Sequence, residues 1–465
     1  MSQELLNHFQ SKQPSIEERI AEGKKLRDNF PRNKLGGYNP SPNRADPVSI
    51  LEEQGKTRLP ELVPIRYARM LTSPFAFLRG AAAIMAADLK ANNGSTGISV
   101  QLCGDMHVAN FGVFASAERN LIFGINDFDE TLPGPWEWDL KRLVASIVAS
   151  GRFLGADKNV CKEAVLAAVS SYRKRMKQYA YMGSMELWYA TISEKDILKT
   201  LPPAQQKALK KISSKARTRT HMQVLDKLTD IVDKKYRLRD DAPFIVHETH
   251  TKTGKPIEEA LGLILESYFL SLGDDRKNLL RHYRIADVAR KVVGVGSVGT
   301  RCWIIFLVGK HDEDPLFLQV KEAQASVMEP FLSTSTYPNH GQRVVQGQRL
   351  IQGAPDIFLG WCELDGLHFY LRQLRDMKGG VEFDPSKANL ENLPAYSALC
   401  AWALALAHAK SGDAALISGY VGNSDELDQA MARFAFAYAD QTERDHQALA
   451  EAAKTGRIQV ADETS

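Results

Sequence analysis

Cysteine is scarce in this chain. There are five, Cys103, Cys161, Cys302, Cys362 and Cys400, an odd number with no CxxC pair. A disulfide framework or a structural zinc site is therefore not expected, and reduced, mostly buried thiols are. Long hydrophobic runs are missing too. The most apolar stretch, from about Ala395 to Ala409, is too short to span a bilayer and contains His408, so it is expected to be a buried helix. The opening residues, MSQELLNHFQSKQPSIEERI, are polar and lack a hydrophobic signal core, which points to the cytoplasm. Neither sign of charge dominates: 59 Lys and Arg against 56 Asp and Glu leave +3. That balance predicts no nucleic-acid or membrane partner, while leaving room for a local basic groove around a phosphorylated ligand.

What the chain does have is ample core material. Apolar residues make up 44% of 465, enough for two or three packed units of an enzyme-sized body. Residues 1–60 read as a helix followed by an extended arm, rich in Pro, Gly and Asn between Gly36 and Pro47. Ser73-Pro74 opens a helix, with Ser at the N-cap and Pro in the first turn, that runs to Asn92-Asn93-Gly94. Three short apolar runs with strand character follow, ISVQL (98–102), NFGVF (110–114) and NLIFGI (120–125), the last two forming a hairpin across ASAER. A helix is expected from about Pro135 to Gly151. Residues 155–285 look mainly helical, with Lys and Arg clustered between Lys207 and Arg239 as a solvated face or an anionic-substrate groove. From VVGVGSVGTRCWIIFLVG to DIFLGWCELDGLHFYLRQL the pattern is β-rich, and from about Leu393 it is helical again. Asn423, three residues before Glu426, is the expected N-cap of the last helix. The predicted units are an arm at 1–60, a helical lobe at 61–285, a β-rich lobe at 286–385, and C-terminal helices at 386–465 packing on the helical lobe.

Two constellations carry the chemistry. In CGDMHVANFG…INDFDE, Asp105 and Asn110 lie in the loop between two strands, and Asp127 and Asp129 end the hairpin's second strand. A hairpin of that length brings both of its ends into one cleft. Phosphoryl transfer needs such a set: one or two oxygen ligands for a magnesium ion that keeps phosphate oxygens as its others, and a separate carboxylate to orient the attacking hydroxyl. Gly104-Asp105-x-His107-x-x-Asn110 resembles the catalytic loop of aminoglycoside phosphotransferases and related protein-kinase-like enzymes, and Asp127-Phe128 resembles the DF motif. The resemblance implies Asp105 as catalytic base, Asn110 and Asp127 as magnesium ligands, His107 as support for the loop, and Asp139 as the helix carboxylate that braces it. Asp129 and Glu130 lie where a further metal or substrate contact could form. Cys103 stands where the kinases usually carry His, so that hydrogen bond must come from elsewhere.

In the second constellation, Gly294-x-Gly296-Ser297-x-Gly299 is followed by a strand rather than a helix. That context disfavours a dinucleotide fold and suits a glycine-rich hairpin over nucleotide phosphates. Lys321, in FLQVKEA, resembles the kinase lysine that contacts the α- and β-phosphates, with Glu322 and Glu329 as candidate partners. Because glycines and lysine follow the catalytic loop instead of preceding it, the implied fold is α+β, protein-kinase-like and two-lobed, circularly permuted, with a largely helical larger lobe. From about Arg66 onward the chain also resembles a bacterial family catalogued as a domain of unknown function, number twenty-two fifty-two. The matching segments are SPFAFLRG, CGDMHVANFG, NDFDETLPGPWEWDLKRL, GVGSVGTR, HAKSGD and YADQTERD.

The function implied is transfer of a phosphoryl group, or AMP, from Mg-ATP to a hydroxyl of an unidentified small-molecule or protein acceptor. A metal-dependent phosphoesterase is weaker, since Gly422-Asn423 is followed by Ser where a GNH motif is needed. A non-catalytic nucleotide-binding module would use the glycines and Lys321 alone. His408 and Asp413 in HAKSGD read as a helix end with a satisfied core histidine; Arg79 in FLRG suits a phosphate contact or a structural ion pair.

Overall fold

The computed structural model describes residues 2–92, 94–201, 203–218, 221–251, 253–292, 294, 296, 298–374, 379–387 and 390–461. Its strands run in chain order β1 (Ser99–Leu102), β2 (Phe111–Ala115), β3 (Leu121–Ile125), β4 (Leu132–Pro135), β5 (Ile192–Ser193), β6 (Thr229–Val232), β7 (Lys235–Leu238), β8 (Ile245–Val246), β9 (Arg284–Lys291), β10 (Cys302–Val308), β11 (Pro315–Glu322), β12 (Gly360–Leu364) and β13 (Leu367–Gln373). Six of them form one antiparallel sheet in the order β12-β13-β11-β10-β9-β8. The β2–β3 hairpin, in register Phe111↔Ile125, carries β5 on its edge, whereas β1 pairs with β4 instead of with the hairpin. The chain is thus a mixed α+β fold.

Local chemistry accounts for several element boundaries. The Ser73 hydroxyl accepts from the Ala76 N–H with Pro74 in the first turn, and Asp157 accepts from the N–H groups of Asn159 and Val160. Asp365 and Gly366 both take positive φ, 51° and 75°, the backbone a two-residue hairpin turn requires between β12 and β13. The apolar run PLFLQVKE is buried at every position, because helix Ile257–Leu270 covers one face of the sheet and helix His221–Leu228 packs against the other. The sheet takes in β8 from the segment ahead of residue 286, and helix Ile257–Leu270 packs on it as well.

Three local expectations give way to tertiary structure. The helix opened by Ser73 breaks after Gly80 and resumes as Ala82–Ala91, because the buried Arg66 guanidinium takes the Gly80 carbonyl at 2.9 Å. The stretch 155–285 contains the β6–β7 hairpin and β8 between its helices. Helix Glu426–Lys454 starts after Asp425 and not on an Asn423 cap, and Asn423 is engaged by Arg173 and Lys177 instead. Part of the basic Lys207–Arg239 cluster lies outside the described residues.

The largest core joins helices Trp136–Phe153, Lys158–Ala180, Leu393–Ser411 and Glu426–Lys454 to the β2–β3 hairpin. Trp136 is fully buried and stacks on Tyr172 with ring centroids 5.6 Å apart. The extended arm is pinned by Arg44, which bridges the carboxylates of Asp88 and Asp445. All five cysteines are buried and free. No described helix is long and apolar enough to cross a membrane.

Candidate functional site

The site begins on one face of helix Trp136–Phe153. Asp139, Arg142 and Ser146 recur at helical spacing and all touch the 103–110 loop. The Cys103 and Gly104 N–H groups donate to the two oxygens of Asp139 at 2.7 and 3.0 Å, so this carboxylate supplies the support that Cys103 itself lacks. The Val108 N–H donates to Ser146 Oγ at 3.0 Å. Arg142 Nε donates to Asp105 Oδ1 at 2.7 Å, and its terminal nitrogen contacts the same oxygen and the Leu78 carbonyl. Gly104 sits at φ +82° in the gap left by Glu130, whose carbonyl lies 2.4 Å from where a Cβ would be. That close approach fixes the loop against the DFDE segment. Behind Asp139, His408 Nε2 lies 3.4 Å from its Oδ2, and His408 Nδ1 lies 2.8 Å from the Tyr172 hydroxyl. The HAKSGD histidine is therefore a fully buried part of the support under the loop.

The hairpin delivers the second set of oxygens. The Asn126 N–H donates to the Asn110 carbonyl at 2.9 Å, tying the two strand ends together, and Asn110 Nδ2 donates to the Asp105 carbonyl at 2.7 Å. This turns the Asn110 amide oxygen away from Asp105. Asp127 Oδ1 accepts from the Asp129 N–H at 3.3 Å. Burial pushes the Asp127 carboxyl up, and repulsion from Asp129 adds to it. Burial also raises Asp105, with Arg142 and Arg79 opposing. His107 is 3% exposed, its Nε2 lies 3.7 Å from Asp105 Oδ2, and burial and two nearby arginines hold it well below the ordinary imidazole value.

The large sheet meets this cluster through Lys321. Its ammonium forms an ion pair with Asp129, a residue 192 positions earlier in the chain. The Tyr370 hydroxyl, from the β13 position paired with Lys321, donates to the other Asp129 oxygen at 2.7 Å. Burial would raise Asp129, but these two donors hold it below the usual carboxylate range. Both Asp129 oxygens are thus occupied by side-chain donors, whereas Asp127 accepts from the Asp129 backbone N–H. Neither glutamate expected to pair with Lys321 does so: Glu322 binds Arg301, and Glu329 accepts from the Ser326 N–H. Helix His340–Ile351 presents Arg343 instead of a carboxylate, and that guanidinium donates to the carbonyls of Asp129, Thr131 and Gln324 at 2.7–2.8 Å. Glu130 accepts from the Val327 N–H at 2.8 Å, and burial raises its carboxyl to about 7.

Gly296 and Gly299 of the glycine segment meet residues of the N-terminal part of the chain. Gly299, at φ +94°, packs on the Arg58 side chain, and its carbonyl accepts from the Leu59 N–H at 2.8 Å. A Cβ on Gly296 would lie 3.4 Å from the Arg79 carbonyl, while Gly294 faces open space. Ser297 lies outside the described residues. A cleft of about 340 Å³ opens beside the site, with Asn126 and Arg372 in its wall but not Asp105, Asp127 or Lys321.

A family model described as "Uncharacterized protein conserved in bacteria (DUF2252)" matches residues 58–452. The chain belongs to this family. No curated protein and no solved structure matches it. The DUF2252 match spans every group of the site, from Arg58 to His408, and leaves out most of the N-terminal arm. Sequence reading missed several members of this DUF2252 site. Arg142 and Ser146 carried a usable signal, three and seven residues after Asp139 on one helical face. Tyr370 and Arg372 alternate on β13 toward Lys321, but choosing their face required the strand register. Arg343 carried no local signal.

Magnesium can be tested against the donors present. Among the described residues no group of three or more His, Cys, Asp or Glu is arranged to hold a metal. Asn110 and Asp127 offer one amide and one carboxylate oxygen, which fits an ion that takes its remaining ligands from phosphate and water. It does not suit a zinc or two-metal centre built from protein ligands alone.

Proposed function

We propose that this protein transfers a phosphoryl group from Mg-ATP to an acceptor hydroxyl, using a kinase-like site whose nucleotide lobe follows the catalytic loop in the chain. The observation that carries the reading is the Lys321–Asp129 ion pair, which joins β11, the second strand after the glycine turn, to the DFDE segment. The order of parts supports it further. In protein kinases a glycine-rich loop covers the phosphates and the lysine stands on the third strand. Here β9, the glycine turn, β10 and β11 follow in that order, and Lys321 is near the end of the third. The departure is the lysine's partner, an aspartate two residues beyond Asp127 in place of a helix glutamate.

In this reading Asn110 and Asp127 would hold magnesium, which would neutralise phosphate charge. Lys321 leaves Asp129 to bind nucleotide phosphate oxygens. Asp105, with Oδ1 fixed by Arg142, keeps Oδ2 for the acceptor hydroxyl and takes its proton as the new O–P bond forms. Asp139, Ser146 and His408 keep the loop in place. Transfer of AMP would use the same groups with the nucleotide reversed. The two-metal phosphoesterase reading finds no matching ligand set among the described residues.

Thermal denaturation with ATP, with and without magnesium, tests the proposal. Stabilisation by ATP that requires magnesium is expected, with Asp105→Asn still stabilised but turning over roughly 10²–10⁴-fold more slowly, the scale for loss of a general base. Absence of magnesium-dependent stabilisation would refute it.

A further inference from the structure

The cations around the gap are nearly all engaged. Arg142 holds Asp105, Lys321 holds Asp129, Arg343 donates to three carbonyls, and Arg372 donates to Gln319 Oε1 and the Asn126 carbonyl. Arg79 differs. Among the described residues its guanidinium makes no hydrogen bond or ion pair, its Nε is buried without a partner, and the guanidinium lies 6.0 Å from the centroid of the Phe75 ring. Arg79 as a whole is only partly buried, so the guanidinium can be reached, and an anionic ligand would supply the acceptor that its buried Nε lacks. The position of Arg79 indicates which anion. It interacts electrostatically with both Asp105 and Asp127, and its backbone carbonyl abuts Gly296 of the glycine turn. It therefore stands where base, metal ligand and phosphate-covering turn converge. Arg66 fixes it from behind by donating to the Gly80 carbonyl at 2.9 Å, at the helix break that ends the segment carrying Arg79.

We propose that Arg79 is an in-chain arginine that donates to the non-bridging oxygens of the phosphoryl group in flight, the role an arginine finger plays in nucleotide hydrolases. This rests on the phosphotransferase reading above and adds a catalytic residue to it. In the step, the acceptor oxygen gives its proton to Asp105 and bonds to the γ-phosphorus. The bond from that phosphorus to the β–γ bridging oxygen breaks, and its electron pair leaves on ADP. Arg79 contributes hydrogen bonds to the equatorial oxygens, where charge is spread during transfer. Its N–H donors exchange no proton.

The test uses the full chain and compares Mg-ADP with Mg-ADP plus aluminium fluoride, a mimic of the phosphoryl group in flight. The wild type is expected to bind the fluoride complex more tightly than ADP alone. Arg79→Ala should keep ADP affinity within about threefold, lose the fluoride enhancement, and turn over about 10³-fold more slowly. Arg79→Lys, which keeps charge but not the planar fork, should recover only part. Arg79→Gln serves if the alanine variant does not fold. Enhancement retained in Arg79→Ala overturns the assignment. So does an equal loss of ADP affinity and turnover, which would make Arg79 a ground-state contact. A wild type that binds Mg-ADP but shows no fluoride enhancement also overturns it, while a wild type that binds no nucleotide at all overturns the underlying phosphotransferase reading.

Discussion

At the scale of single residues, the site separates four neighbouring carboxylates by their partners. Asp129 is held below the usual carboxylate range by Lys321 and Tyr370, whereas burial raises Asp105 against the opposing Arg142 and raises Asp127 and Glu130 as well. Glu130 gives this division a pH signature. Its carboxyl titrates near 7 in the folded chain and near 4.3 unfolded, so the folded state binds more protons between those values. Stability contributed by protonated Glu130 is therefore present at low pH and lost as pH rises through 7. Glu130→Gln keeps an oxygen for the Val327 N–H and cannot ionise. It should raise the melting temperature at pH 8, by an amount equivalent to about 1–2 kcal/mol, and leave it nearly unchanged at pH 4.5. Equal shifts at both pH values would show that Glu130 does not titrate in this range. Asp105, Asn110 and Asp127 stand out in the sequence because Asp, Asn and Gly in a strand-ending loop form a local pattern. That Lys321 pairs with Asp129 could not be read there, since that contact depends on how two distant segments dock.

Among elements, helix Trp136–Phe153 does the positioning. Its N-terminal turn carries Asp139, whose two oxygens accept two backbone N–H groups of the 103–110 loop, and His408 from helix Leu393–Ser411 stands behind it. Asp139→Asn replaces one acceptor with an N–H donor pointed at another N–H. The expected cost is about 2–4 kcal/mol of stability, the scale of a lost charge-assisted bond plus an unsatisfied buried donor. Turnover should fall while magnesium–ATP affinity changes little, since the ligand oxygens are elsewhere. Chemical denaturation and nucleotide titration of the same variant check both parts; undiminished stability would remove Asp139 from this role. The hairpin, this helix and strands β10 to β13 were legible from alternation, helical spacing and turn residues. The helix break at Gly80 and the β6–β7 hairpin were not, because a buried arginine and sheet packing decide them over local propensity.

For the whole molecule, the proposed phosphoryl transfer requires two regions of sequence to serve one ligand: the loop and hairpin near residues 103–130, and the sheet with its glycine turn near 284–373. Their order in the chain follows from no local rule, and only their docking gives it meaning. The most direct test is a crystal structure with magnesium and a non-hydrolysable ATP analogue. The metal is expected on Asn110 and Asp127, phosphate oxygens within hydrogen-bonding distance of Lys321 Nζ, and the Lys321–Asp129 pair opened. Nucleotide bound to one region while the other stays bare, or seated away from both, would contradict this expectation.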